Sequence, residues 1–319
     1  MNYKPIIILN GEPNSIFLEI FLKSIKKKRF KSPLILISSL NLLKTYMKKF
    51  KFKKEINLIN LKNFKKKNLK KNSINLINVN LDIKNYKKIT NKSNTFIKKS
   101  FDISLKLIKL GLTNKLINGP ISKKSFLNKK FLGITEYISR NFKIENTCML
   151  IYNKNLSVSP ITTHLPIKLV AKHIKKKTII DKVSLINNFY KKKFGFKPKI
   201  AILGLNPHCE SVHKYNEDEK ILKPSIKYLN TKYNVSGPYS ADTIFLKENR
   251  KKFDVIIGMY HDQVLTPLKT LFEYDAINIT LGLPFVRISP DHGPNEQMLG
   301  KNKSNPTSLL KAIKFLDKN

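Results

Sequence analysis

The segment of residues 254–293 constrains the fold more than any other part of the chain. It contains two apolar runs, at 255–257 and 276–281, with the length and composition of buried strands. Each run is followed by titratable or amide side chains that we expect to lie in loops. Open α/β folds build their sites in this way, at the carboxyl ends of parallel strands. The side chains concerned are His261, Asp262, Gln263, Arg287, Asp291 and His292.

Apolar strands and amphipathic helices alternate through the remaining sequence. This alternation indicates an α/β architecture with a largely parallel sheet, and 319 residues suffice for two domains. The pattern predicts strands at 4–9, 33–38 and 199–203, and a hairpin from 146–152 and 156–162. It predicts helices at 15–27, 40–50, 96–110, 166–174, 179–194, 218–229 and 309–316, and a further helix beginning at 240–245.

The charge of the chain is strongly unbalanced, with 62 basic and 21 acidic residues and a formal net charge of +41. Such a surface can attract nucleic acid or another polyanion. Lys far outnumbers Arg, however, and Arg is the residue that reads bases through bidentate contacts. The excess of Lys, Asn and Ile is also what an AT-rich coding sequence produces. We therefore expect compositional drift and no nucleic-acid partner.

The two cysteines, Cys148 and Cys209, are far apart in sequence and form no CxxC pair. This usage argues against a disulfide framework and for a reducing compartment. The first apolar run is too short for a signal peptide, and no apolar window is long enough to span a bilayer. We expect a cytoplasmic protein without a membrane partner.

Three histidines, His164, His208 and His261, directly follow predicted strands. A single histidine is more often a structural hydrogen-bonding residue than a metal ligand. Three histidines in equivalent strand-end positions favour a site, because such ends converge at one edge of a sheet. Three imidazoles suit Zn²⁺ or another divalent transition metal. Both interpretations stay open at this point.

Eight short segments follow one another along nearly the whole chain. They are GEP at 11–13, NGPISK at 118–123, GITE at 133–136, TTHLP at 162–166, GLNPH at 204–208, GPYSADT at 237–243, MYHDQ at 259–263 and NITLGLPFVRISPDHG at 278–293. In this order they resemble the 4-hydroxythreonine-4-phosphate dehydrogenases of pyridoxal phosphate biosynthesis, the PdxA family.

The resemblance implies a two-domain α/β/α fold, similar to isocitrate and isopropylmalate dehydrogenases, with mostly parallel sheets and the active site in the interdomain cleft. The first domain would comprise residues 1–125 and 280–319. The second, 126–279, would carry the dimer interface and much of the metal site. The implied reaction is NAD- or NADP-dependent oxidation of a phosphorylated amino acid, 4-phosphooxy-L-threonine, to 2-amino-3-oxo-4-phosphooxybutyrate. That product loses CO₂ to give 3-amino-2-oxopropyl phosphate.

The resemblance also implies roles for individual residues. A divalent metal (Zn²⁺, Mg²⁺ or Co²⁺) would be held by His164, His208 and His261, with ligands from both subunits of a homodimer. Substrate-binding positions are Ile134, Thr135, Lys269, Asn278 and Arg287. Catalytic candidates are Lys269, Asp242 and Lys123, and cofactor-binding candidates are Asp291, His292 and Gly293.

The chain departs from the family pattern at several of these loops. Ile134 stands where the family has a histidine, which removes an imidazole donor to the substrate. The segments 14–17 and 209–212 replace glycine-containing loops, and Pro294 and Asn295 replace Thr and Ala after DHG. Two alternatives therefore remain: a dehydrogenase of a related phosphorylated hydroxy acid (phospho-threonate or phospho-erythronate), and a polyanion-binding protein on a retained dehydrogenase scaffold.

Overall fold

Strands and helices alternate along the chain, as the spacing of apolar side chains predicts. The computed structural model describes residues 3–26, 28–81, 91–121, 133–211, 213, 215–290 and 293–318. In chain order the elements are β1 (Ile6–Leu9), α1 (Phe17–Ile25), β2 (Leu34–Ser38), α2 (Leu40–Lys49), β3 (Ile56–Leu58), β4 (Ile74–Asn78), α3 (Asn91–Lys109), β5 (Lys115–Asn118), α4 (Ile134–Asn141), β6 (Cys148–Tyr152), β7 (Ser157–Thr162), α5 (Val170–His173), α6 (Lys176–Phe194), β8 (Ile200–Leu203), α7 (Lys223–Asn230), β9 (Val235–Tyr239), α8 (Lys247–Arg250), β10 (Val255–Tyr260), α9 (His261–Phe272), β11 (Ile277–Leu281), β12 (Val286–Pro290) and α10 (Thr307–Asp317).

The chain divides into two compact units, Met1–Ile134 with Pro284–Asn319, and Thr135–Leu283. Helices pack against a layer of mostly parallel strands in each unit. The α/β fold class with mostly parallel strands is therefore confirmed. No helix in the described ranges is long and apolar enough to cross a membrane.

The strands of the first unit follow the order β3-β4-β2-β1-β5-β12. All pairings recorded between its described strands are parallel. The central strand β1 has the sequence IIIL, and all four of its residues are buried. A strand that is apolar on both faces needs cover on both sides, which is the environment of a parallel sheet.

The strands of the second unit follow the order β11-β6-β7-β10-β8-β9. The pairings β11–β6 and β6–β7 are antiparallel, and the latter confirms the predicted hairpin. The pairings β7–β10, β10–β8 and β8–β9 are parallel. The carboxyl ends of β7, β10 and β8 therefore lie side by side, with β10 in the middle.

Three local predictions differ from the structure. Residues 241–245 form turns, and the helix α8 begins only at Lys247, because the ψ of 143° at Leu246 is not helical. The Arg250 guanidinium donates back to the Phe245 carbonyl at 2.8 Å. His261, Asp262 and Gln263 begin the helix α9 and are not in a loop. Asp262 in the first turn of this helix has favourable electrostatics there. Arg287 lies within β12, since its segment continues the parallel ladder with β5.

A buried carboxylate links α1 to the segment before α10. Glu19 is fully buried and accepts a hydrogen bond from the backbone of Ser304 at 2.9 Å, besides one from its hydroxyl. Lys23 contacts the same carboxylate at 2.9 Å. Burial alone would raise the pKa of Glu19, but the hydrogen bonds from Ser304 and Lys23 lower it below its ordinary value.

We expect Glu19→Gln to destabilise the protein by about 2 kcal/mol at neutral pH, because the backbone and hydroxyl donors lose a charged acceptor. A lowered folded-state pKa gives stability that is present above the ordinary pKa and is lost as the pH falls through the folded-state value. The difference in urea-unfolding free energy between wild type and variant should therefore shrink as the pH falls below 4.5. Glu248→Gln, at an exposed pair, serves as the control. A difference independent of pH would contradict the assigned role of the charge.

Candidate metal and substrate site

The three strand-end histidines follow three neighbouring strands of the second unit. His164 comes shortly after β7, His208 shortly after β8, and His261 directly after β10. Because β10 lies between β7 and β8, His261 has the central position.

The structure brings two of these histidines together. The ring centroids of His164 and His261 are 5.6 Å apart, with 36° between the ring planes. Two imidazoles bound to one tetrahedral ion place their centroids about 5 Å apart. The Nδ1 atom of His261 is 2.7 Å from the Oδ1 atom of Asp262. A carboxylate on Nδ1 fixes the orientation of an imidazole ring, and it commonly accompanies histidines that bind a metal through Nε2.

His208 is not grouped with this pair. Among the residues that the structure describes, no three His, Cys, Asp or Glu side chains are clustered closely enough to hold a metal ion. His208 has a left-handed backbone, with φ of 54°, and so does the next residue, Cys209, with φ of 62°. His164 also has a positive φ, 52°. Such conformations are costly for residues other than glycine and concentrate at functional sites.

A chain of hydrogen bonds, which we call the strand-end bridge, joins the segments that carry the three histidines. The Thr162 hydroxyl donates to the Met259 carbonyl at 2.7 Å. The Met259 N–H donates to Oε1 of Gln263 at 2.7 Å, and Nε2 of Gln263 donates to the Gly204 carbonyl at 2.8 Å. The bridge therefore extends from the end of β7 through β10 to the end of β8.

A second buried carboxylate fixes the loop that carries His208. Asp218 is fully buried and accepts hydrogen bonds from the backbones of Leu205 at 2.9 Å and Asn206 at 3.0 Å. It also accepts one from the Asn206 side chain at 2.7 Å. A side chain at Gly204 would meet Asp218 Oδ1 at 2.8 Å, so the close approach requires glycine.

The sequence placed Gln263 among the strand-end side chains without a specific role, and it indicated no role for Asp218. Gln263 lies within MYHDQ, one of the segments that carry the family resemblance, so the sequence did point to this position. Asp218 stands in the acidic run NEDE, where it resembles an ordinary surface residue. Only its complete burial distinguishes it.

The proposed substrate-contacting residues of the second unit have different environments. Lys269 lies on α9 and is exposed, and Thr135 is half-buried on α4. Asn278 lies on β11, and its Oδ1 atom is buried without a hydrogen-bond partner in the described part of the chain. A buried unsatisfied amide calls for an explanation, and a bound ligand is one. Asp242 is exposed in the turns after β9.

Arg287 is only 5% exposed and is held in place within the first unit. Its Nε donates to Oδ1 of Asn118 at 2.7 Å, and Nη2 donates to the Ser289 hydroxyl at 2.9 Å. The Ser289 hydroxyl itself donates to the same Asn118 oxygen at 3.1 Å. Asn118 ends β5, so these contacts fix the guanidinium at the carboxyl ends of β5 and β12.

Of the three predicted cofactor-binding residues, the structure describes only Gly293. Asp291, His292 and the catalytic candidate Lys123 lie outside the described residues. Gly293 is exposed, and a Cβ atom added there would meet no atom within 4 Å. The space beside its backbone is therefore open.

Two of the segments that depart from the family pattern, 14–17 and 294–295, are in contact with each other. The backbone N–H of Ile16 donates to the Pro294 carbonyl at 3.1 Å. The side chains of Ile16 and Phe17 are buried, and Phe17 packs so closely that a Cβ at Gly119 would meet its ring at 2.9 Å. Apolar side chains thus fill the space beside a loop that follows β1.

Comparisons with known proteins agree on one family. The family model of pyridoxal phosphate biosynthetic protein PdxA matches residues 29–316. A 4-hydroxythreonine-4-phosphate dehydrogenase from Sulfurihydrogenibium sp. (strain YO3AOP1) is 45% identical over 206 residues, 63% of each chain. One from Xanthobacter autotrophicus is 35% identical over 226 residues, 68% of this chain and 65% of that protein. The matched segment thus spans less than two thirds of either relative.

A solved structure adds a comparison over the full length. The crystal structure of 4-hydroxythreonine-4-phosphate dehydrogenase from Klebsiella pneumoniae superposes with a TM-score of 0.82 and covers 98% of both chains. At 24% sequence identity, this similarity shows a shared fold.

We expect Asp218→Ala to lower the free energy of unfolding by about 3 kcal/mol, because buried N–H donors of the His208 loop lose a charged acceptor. Asp218→Asn, which keeps one acceptor oxygen, should lose less. The control is Glu219→Ala, which removes an exposed pair with Lys223 and should cost less than about 1 kcal/mol. Equal losses for Asp218→Ala and Glu219→Ala in urea unfolding would contradict the role given to Asp218.

Proposed function

Because the chain belongs to the family of pyridoxal phosphate biosynthetic protein PdxA, we propose that the protein is a 4-hydroxythreonine-4-phosphate dehydrogenase. The substrate is 4-phosphooxy-L-threonine. Its secondary alcohol gives a hydride to NAD or NADP and a proton to a base, which leaves 2-amino-3-oxo-4-phosphooxybutyrate. This β-keto acid then loses CO₂ and yields 3-amino-2-oxopropyl phosphate. The observation that carries the proposal is the His164–His261 pair at two adjacent strand ends.

A divalent metal, Zn²⁺, Mg²⁺ or Co²⁺, is part of this proposal. His164 and His261 would hold it, and His208 would be the third ligand. When bound, such an ion supplies a Lewis acid for the substrate hydroxyl. The contact between His261 and Asp262 supports the assignment, because a ligating imidazole commonly has a carboxylate on its second nitrogen. We further propose a homodimer in which both subunits contribute ligands, on the resemblance of the sequence segments.

Residues of this chain bind and orient the anionic groups of the substrate. Arg287 contributes a guanidinium whose direction is fixed by Asn118 and Ser289, and a fixed guanidinium suits bidentate contact with phosphate or carboxylate. Lys269 adds a second cation. The unsatisfied Oδ1 atom of Asn278 suits a substrate donor such as the ammonium group.

The remaining proposed contacts involve the hydroxyl of Thr135 and the cofactor. Residues Asp291, His292 and Gly293 form the cofactor-side segment, and the open space beside Gly293 supports close approach of a ligand. Lys123 and Asp242 are proposed to act near the reacting groups, where a lysine can accept the hydroxyl proton or return one.

A second candidate function is oxidation of a related phosphorylated hydroxy acid, phospho-threonate or phospho-erythronate. Ile134 favours it, because this half-buried apolar residue directly precedes the proposed substrate-binding residue Thr135. These substrates carry a hydroxyl where 4-phosphooxy-L-threonine carries its amino group, and a changed substrate contact at this position is compatible with such a change of substrate. Binding of a polyanion is the alternative from another class, and it is supported by the net charge of +41.

We expect purified protein to reduce NAD or NADP with 4-phosphooxy-L-threonine, to lose this activity with a chelator, and to regain it with Zn²⁺, Co²⁺ or Mg²⁺. His261→Ala should lower kcat/KM by more than about 100-fold, since loss of an outer-shell partner alone costs up to that much. The control is His173→Ala, at an exposed histidine on α5. Full activity of the His261 variant would refute the proposed metal site. Turnover of only the hydroxy acids would select the second candidate.

The role of position 134 gives a separate test. We expect Ile134→His to raise kcat/KM for 4-phosphooxy-L-threonine by about ten-fold, because it restores a donor to a charged group. Ile134→Leu, which restores no donor, should leave kcat/KM unchanged. The same gain in both variants would indicate a packing effect and contradict a substrate contact at this position.

A further inference from the structure

A cavity of about 280 Å³ lies in the first unit, at the amino-terminal ends of its strands. We call it the basic cavity. Leu34 and Ile74, the first residues of β2 and β4, line it. The last turn of α1 forms another part of its wall through Ile25. The candidate site residues of this unit, such as Arg287, lie at the other ends of the strands, so the basic cavity is not part of that site.

The polar part of the wall is cationic. Among the described residues that line the cavity none is acidic, and the charged side chains are Lys26, Lys28, Arg29, Lys54 and Lys71. In the described part of the chain, none of these five forms an ion pair. Glu55, the neighbour of Lys54 in sequence, contacts Lys70 at 2.6 Å and accepts a hydrogen bond from Ser73 at 2.7 Å. That carboxylate is thus engaged with other partners.

The rest of the wall is mixed, and Ser32, Asn72 and Ser73 are among its polar residues. Its apolar surface comes from the half-buried side chains of Phe30 and Leu34, since Phe21 beside them is almost fully buried. Lys54 is half-buried, and burial lowers its pKa. A desolvated ammonium gains from an anion placed beside it. The cavity therefore combines a surface for an apolar body with a group of cations.

Unpaired lysines are common in a chain with 62 basic and 21 acidic residues, so the position of these cations is what distinguishes them. Around the basic cavity five cations surround one concave space, where mutual repulsion opposes folding. Concave low-dielectric walls also focus the field of such a group, which attracts anions.

We propose that the basic cavity binds a small organic phosphate, with the phosphate at Arg29 and Lys54 and an apolar ring-sized body against Phe30 and Leu34. The volume suits a small molecule and is far too small for a nucleic-acid strand. Arg and Lys are the side chains that bind phosphate through charge-assisted hydrogen bonds. The inference does not depend on the reaction proposed above.

Calorimetric titration with three probes tests the site: phenyl phosphate, inorganic phosphate and phenol. Phenyl phosphate should bind the wild-type protein more tightly than either of the other two, because only it engages both walls. Lys54→Met should raise its dissociation constant by about ten-fold, as expected when one charge-assisted hydrogen bond is lost. The matched control is Lys44→Met, which removes the same charge from an exposed position on α2 outside the cavity and should change the constant by less than about two-fold.

The outcomes separate the cavity from other sources of phosphate binding. Equal losses in the Lys54 and Lys44 variants would mean general attraction by the charged surface and would overturn the proposal. Binding insensitive to Lys54→Met would place the probe at another site, including the candidate substrate site. Equal affinities for phenyl phosphate and inorganic phosphate would show that the apolar wall does not contribute to binding, and would contradict the proposed organic ligand. If Lys54→Met fails to fold, Arg29→Gln, at an exposed cavity residue, replaces it.

Discussion

The amide side chain of Gln263 is the interaction on which the candidate metal site most depends. Its oxygen accepts from the backbone that precedes His261, and its nitrogen donates to the carbonyl of Gly204, four residues before His208. One side chain thereby fixes the ends of β10 and β8 relative to each other. Because glutamine offers a donor and an acceptor on one rigid group, neither a carboxylate nor an apolar residue can make both bonds.

Backbone strain accompanies this bridge. His164, His208 and Cys209 all have positive φ angles, and such conformations cost about 1–3 kcal/mol each when they are held at a functional site. The hydrogen bonds to Gln263 and the buried carboxylate of Asp218 offset that cost. Positive φ angles also occur away from the candidate site, at Lys51 and Lys143, so the association of the histidine loops with ligand binding rests on their shared strand-end position as well.

The sequence predicted the parallel strands well, because a run such as 255–257 is apolar on both faces and has no other stable environment. It failed at 240–245, because the non-helical ψ of Leu246 separates these turns from the helix α8, and at His261, which begins a helix. The roles of Gln263 and Asp218 depend on strands far apart in sequence, so spacing could not reveal them. Local sequence patterns thus predicted the fold, but they did not predict the hydrogen bonds that hold the candidate site in place.

Diffraction from crystals grown with Co²⁺, recorded at the cobalt absorption edge, tests the central claim most directly. The account predicts one anomalous peak within about 2.2 Å of Nε2 of both His164 and His261, with His208 as a further ligand from the same chain or from its partner. A peak bound to other residues, or none at the His164–His261 pair, would contradict it.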